Sequence, residues 1–138
     1  PRSAANNFTV DTHVPGAPAI VTPPDGTYTN NPAPAISGTA EANATVSLFI
    51  DAGPAGPATA DTSGGWSVVP ASALSDGAHT LTAWQTDAAQ TTSALSTPSQ
   101  LTVDTRVPSA PAVASPADGS FTNDADAPIS GTAEANMR

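Results

Sequence analysis

The stretch Ile36-Ser-Gly-Thr-Ala-Glu-Ala-Asn43 returns unchanged at Ile129 to Asn136. The residues before it return in the same phase. Phe8-Thr-Val-Asp-Thr12 recurs as Leu101-Thr-Val-Asp-Thr105, Val14-Pro15 as Val107-Pro108, and Pro23-Pro-Asp-Gly26 as Pro116-Ala-Asp-Gly119. Every pair lies 93 positions apart (129 − 36) without a gap, and 22 of the 36 positions in 8–43 are identical to those in 101–136. The period is therefore 93 residues. A unit of that size can bury its own core, whereas solenoid repeats run to about 20–50 residues. The expected organisation is a string of independent domains. Residues 1–12 would be the C-terminal strand of a preceding repeat plus linker, 13–105 a complete repeat, and 106–138 the first strands of the next, incomplete one. The chain reads as a segment of something longer.

Within 13–105, turn signals cut the chain into seven short extended segments: 19–22, 35–40, 45–51, 58–61, 66–69, 79–86 and one within 95–103 that starts after Pro98. Pro23-Pro-Asp-Gly26, Glu41-Ala-Asn43, Thr62-Ser-Gly-Gly65 and Ser75-Asp-Gly77 punctuate them, and 52–57 reads as a loop. In 45–51, Val46, Leu48 and Ile50 alternate with Ser47, Phe49 and Asp51, the period of a half-buried strand. Seven strands with turn signals every 8–12 residues predict an all-β, immunoglobulin-like seven-strand β-sandwich. Leu48, Ile50, Trp66, Leu81 and Val103 are expected inside. His79 is expected at the solvent edge of its strand.

Composition agrees. The chain has 28 Ala, 19 Thr, 14 Ser, 15 Pro and 10 Gly among 138 residues, which favours strands and turns over helices. Twelve acids face three arginines and no lysine, for a net charge of −9. That excludes nucleic-acid binding through a basic patch and attraction to an anionic membrane surface. No apolar run approaches the roughly 18 residues of a membrane-spanning helix. The absence of cysteine removes disulfides, thiolate metal sites and thiol nucleophiles.

The frame Val-Asp-Thr, Val-Pro-x-Ala-Pro, Pro-x-Asp-Gly, Ile-Ser-Gly-Thr-Ala-Glu-Ala-Asn-Ala-Thr-Val, Gly-Trp-Ser and Leu-Ser-Asp-Gly-Ala-His-Thr-Leu-Thr-Ala strongly resembles bacterial Ig-like (Big) repeats. These occur in tandem in large surface adhesins, biofilm-associated proteins and related secreted proteins. The resemblance covers the whole chain. It implies an extracellular, non-enzymatic structural module whose partners are neighbouring Ig-like repeats in the same chain. The family's loop Asp-Ala-Ala-Gly-Asn reads Asp87-Ala-Ala-Gln90-Thr91 here.

Catalytic chemistry finds little to work with. His13 is replaced by Arg106 in the next copy, and the acids fall on loop tips where no cleft is evident, unlike the facing carboxylates of glycoside hydrolysis. The acids sort by the up-and-down path of the strands instead. Asp11, Glu41, Asp61 and Asp87 gather at one pole, Asp25, Asp51, Asp76 and Asp104 at the other, and Glu134 repeats Glu41. Two readings stay open for them. Asp-Gly and Asp-Thr are turn formers in their own right, or these oxygens converge on Ca²⁺ at the domain junctions and stiffen them. With Leu81 and Ala83 inward, Trp84 points outward, as does Phe49 on the neighbouring strand. They form either a cross-strand pair or a contact surface for a glycan or protein. The incomplete copy 106–138 has too few apolar residues for a core, with Val107, Val113, Phe121 and Ile129 the largest. It is expected to be held by self-association, fibre contacts or a neighbouring domain.

Overall fold

A computed structural model describes residues 2–135. The chain divides into two compact units, Pro1–Thr105 and Arg106–Arg138. Unit 1 holds β1 (Ala19–Thr22), β2 (Thr27–Thr29), β3 (Ile36–Thr39), β4 (Thr45–Ile50), β5 (Gly53–Thr59), β6 (Gly65–Val68), β7 (Gly77–Thr86) and β8 (Ser99–Val103). No helix occurs among the described residues.

Two sheets face each other. One has the order β1-β3-β6 and the other β2-β8-β7-β4-β5. Their inner faces bury Ile36, Val46, Leu48, Ala60, Trp66, Val68, Leu81, Ala83, Leu101 and Val103. Each fully buried Leu, Ile or Val contributes about 1.5–3 kcal/mol, which makes the period-2 alternation of β4 and β7 decisive for register. Ile50, expected inside, is half-buried at the end of β4 and packs against the core rather than within it.

Two expectations need correction. The segment after Asp51 is a strand, not a loop. Asp51 and Ala52 both take positive φ (52° and 65°), the backbone of a tight primed turn, so β5 starts at Gly53 and pairs antiparallel with β4. The strand expected at 58–61 thus lies at 53–59 and belongs to the five-stranded sheet. Pro54 and Pro57 are tolerated because β5 is that sheet's edge. Second, the three-residue β2 was not foreseen. After the cis Thr22–Pro23 bond the chain moves to the other sheet, where Thr27, Tyr28 and Thr29 pair parallel with Leu101, Thr102 and Val103. Residues 2–18 carry no strand, and no described strand pairs with them.

Unit 2 contains β9 (Ala112–Ser115) and β10 (Ser130–Thr132), paired antiparallel. Their register, Ala112↔Thr132, Val113↔Gly131 and Ser115↔Ser130, is that of Ala19↔Thr39, Ile20↔Gly38 and Thr22↔Ser37 displaced by the same 93 positions (112 − 19). Val107, Val113, Phe121 and Ile129 are all exposed.

Candidate functional site

The polar chemistry of unit 1 sits at the ends of its strands. At one end, Glu41 follows β3. Its Oε1 accepts from the Gly16 amide at 3.1 Å and lies 3.4 Å from His13 Nε2. Behind it, Gln85 is buried on β7 and spans two segments, its Oε1 accepting from Glu41 N at 2.7 Å and its Nε2 donating to Gly16 O at 2.5 Å. A shallow hollow beside this bridge is lined by Gly16, Ala17, Ala19, Thr39, Glu41 and Gln85. Asp61 Oδ1 accepts from Ser63 N and Gly65 N, and Asp11 Oδ1 from His13 N. Asp87 Oδ1 accepts from Thr91 N at 2.8 Å, while its Oδ2 is buried without a partner, as is Trp66 Nε1.

At the other end, Asp25 Oδ1 accepts from Gln100 N at 2.7 Å. Asp76 Oδ1 accepts from both Thr105 N (2.9 Å) and Thr105 Oγ1 (2.8 Å). Asp104 N donates to Thr29 O. Asp51 Oδ1 accepts from Thr80 N at 2.9 Å, and its Oδ2 lies 2.7 Å from His79 Nδ1. In unit 2, Glu134 Oε2 accepts from Ser109 N at 3.2 Å, the counterpart of the Glu41–Gly16 bond 93 positions earlier (134 − 41).

The carboxylates of Asp11, Asp25, Glu41, Asp51, Asp61, Asp76, Asp87 and Glu134 therefore each lie in a turn or linker and accept from a backbone N–H, as Asp and Glu do where the chain reverses. The described residues contain no group of three or more His, Asp or Glu able to hold a metal ion together.

His79 departs from the expectation of a solvent-edge residue. It is only 7% exposed, and its Nε2 lies 2.8 Å from Ser75 O. That carbonyl, followed by the Asp51 carboxylate, raises the His79 pKa. The bond to His79, with the Thr80 amide second, lowers that of Asp51. Both His79 nitrogens are thereby taken up, leaving neither to activate a hydroxyl. The alternation that places Leu81 and Ala83 inward extends to His79 and Gln85. Carrying it two residues either way would have found both.

Phe49 and Trp84 meet on the outer face of the five-stranded sheet, with ring centroids 4.7 Å apart and planes at 58°. Trp84 remains 36% exposed. No strand of this sheet contributes an Asp, Glu or Arg, in a chain of net charge −9.

Among solved structures, the chain is similar to the fibronectin(III)-like modules of Clostridium thermocellum CbhA, at 16% identity, TM-score 0.41, with 61% of this chain and 89% of that one covered. It is also similar to a protease structure, at 19% identity and TM-score 0.39, covering 65% of this chain but only 18% of the protease. No curated protein matches it. Among the described residues there is no helix long and apolar enough to cross a membrane. Residues 22–105, from the end of β1 to the end of unit 1, match the family of bacterial Ig-like domains, and the chain belongs to that family.

Proposed function

We propose that this chain is a structural, non-enzymatic repeat module of a long extracellular or cell-surface bacterial protein, an adhesin stalk or filament. The observation that carries the reading is the 93-residue recurrence of sequence together with the recurrence of β1–β3 register in β9–β10. Domains of this family are typically non-catalytic and often extracellular. Pro108 and Pro111, ahead of β9 at the start of unit 2, restrict backbone freedom, and the net negative charge keeps arrays soluble and self-repelling. The exposed Val107, Val113, Phe121 and Ile129 support contacts of unit 2 with a neighbouring repeat or a second chain.

Calcium at the junctions belongs to the same reading. Since the described residues assemble no cluster of three ligands, a bound cation would have to recruit Asp11 or Asp104 together with oxygens from elsewhere. Calorimetric titration of the chain with millimolar Ca²⁺ decides this part: heat with a rise in melting temperature supports it, and neither leaves the carboxylates as turn holders.

An antibody against unit 1, applied to intact, unpermeabilised cells of the source bacterium, tests the main reading. Surface labelling lost on protease shaving is expected. Signal only after lysis overturns it.

A second reading, a binding module for a neutral glycan, is favoured by the uncharged outer face around Phe49 and Trp84. Rings stack on sugar C–H faces, and Thr80, Thr82 and Thr102 supply hydroxyls. Retention on neutral polysaccharides that is lost in Trp84→Ala would support it; equal behaviour of the two proteins would remove it.

A further inference from the structure

His79 is the one titratable side chain buried among the described residues of unit 1. Its Nδ1 is 2.7 Å from Asp51 Oδ2 and its Nε2 is 2.8 Å from the Ser75 carbonyl oxygen. Both neighbours are acceptors. A neutral imidazole carries a single N–H and can satisfy one of them, whereas the imidazolium donates to both. The Asp51 side chain is half-exposed, so it keeps its charge. It is also fixed in place, since Asp51 N donates to Thr80 O and Thr80 N donates back to Asp51 Oδ1, each at 2.9 Å.

The other end of this contact leads out of the domain. Ser75 precedes Asp76, whose Oδ1 accepts both bonds from Thr105, the last residue of unit 1. The Ser75–Gly77 turn is therefore held from one side by the ring of His79 and holds Thr105 on the other.

We propose that His79 is a proton-operated latch: as the imidazolium it ties the Ser75–Gly77 turn to Asp51, fixing the position from which Asp76 anchors Thr105, and loss of the proton loosens that anchor. The surrounding groups favour the charged ring. Asp51 faces it from the β4–β5 turn, Asp76 lies on the turn before β7, and Asp25 and Asp104 belong to the same end of the domain. Across the ladder β8 offers Leu101, which is neutral. On deprotonation the ionised carboxylate retains the remaining N–H, because charge-assisted bonds are the stronger. The Nε2 lone pair then confronts the Ser75 oxygen, and the turn gives way.

The test is an NMR titration of the whole chain, following the imidazole nitrogens of His79 and the backbone amide of Thr105. Both His79 nitrogens should carry protons at about pH 6, with a midpoint above the ordinary histidine value of about 6.5, and the Thr105 amide should shift with that same midpoint. Asp76→Asn should weaken the Thr105 response while His79 continues to titrate. A midpoint at or below about 6.5, with a single-tautomer neutral His79 above it, overturns the proposal, as does a Thr105 amide indifferent to the His79 titration. Both deciding readouts come from the unmodified chain, so they do not depend on any variant folding. They are equally independent of whether the module serves a stalk or binds a glycan.

Discussion

Ile36 and Ile129 open an identical eight-residue motif, and β3 and β10 pair with β1 and β9 in the same register, yet Ile36 is 0% exposed and Ile129, one residue ahead of β10, 78%. What differs is the opposing sheet. In unit 1, β3 is flanked by β6 and covered by β4, β7 and β8, whereas unit 2 has only β9 and β10. Burial is thus conferred by the complete repeat and not by the motif.

Truncating the two isoleucines should therefore have unequal effects. Ile36→Ala removes a fully buried side chain and is expected to cost about 2–5 kcal/mol, read as a fall in the urea midpoint. Ile129→Ala should leave that midpoint unchanged.

Gly38 carries a second contrast. A Cβ there would run into the Ala19 carbonyl oxygen and come within 2.8 Å of Trp66 Cζ2. Backbone cannot yield as a flexible side chain can, so Gly38→Ala should break the β1–β3 pairing. Thermal unfolding monitored by circular dichroism and Trp66 fluorescence should show a loss larger than any surface Gly→Ala change, such as one at Gly16, where nothing lies within 4 Å.

Gln85 binds Gly16 O and Glu41 N in a buried bridge. Gln85→Leu keeps bulk but leaves both backbone groups without that partner, at a cost of about 1–3 kcal/mol each where they stay dry. The segment before β1 should then be cut faster by a nonspecific protease, while the Leu48–Leu81 core stays resistant.

Gln90 takes φ = 67° at the loop position where the family usually has glycine. A non-glycine residue in the left-handed region costs roughly 1–2 kcal/mol, part of which is offset by the greater freedom glycine has when unfolded. Gln90→Gly should therefore stabilise unit 1 by up to about 1 kcal/mol, measured by chemical denaturation.

What could be read from the sequence followed from how local the cause was. The alternation of Val46 and Leu48 against Ser47 and Phe49, and the turn signals around Asp25-Gly26 and Asp76-Gly77, are written in neighbouring residues. They placed six of the strands and the Phe49–Trp84 pair. The identity of β5 was hidden because Pro54, Gly56 and Pro57 imitate a loop, and only the Asp51–Ala52 turn brings them beside β4. The roles of His79 and Gln85 were hidden for a different reason. Each is defined by partners distant in sequence, Asp51 for one and Gly16 with Glu41 for the other, and polar residues at inward positions are discounted unless those partners are known.

The Asp51–His79 pair also sets how stability should vary with pH. The His79 pKa is raised in the folded state, chiefly by the Ser75 carbonyl and then by Asp51. Its contribution is full below the unfolded value of about 6.5 and is lost as pH rises through the raised folded value. The Asp51 pKa is lowered, chiefly by His79 and then by the Thr80 amide. Its contribution is full above the unfolded value of about 3.9 and is lost as pH falls through the lowered one. Both hold between these limits. Melting temperatures of the native chain and of His79→Gln, taken in parallel from pH 3 to pH 9, should differ most in the mildly acidic range of about pH 4–6.5. The gap should narrow on the alkaline side as His79 loses its proton and on the acid side as Asp51 gains one. A gap that keeps widening toward pH 9 would mean that the ring is neutral in the fold and that its burial, rather than its charge, supports unit 1.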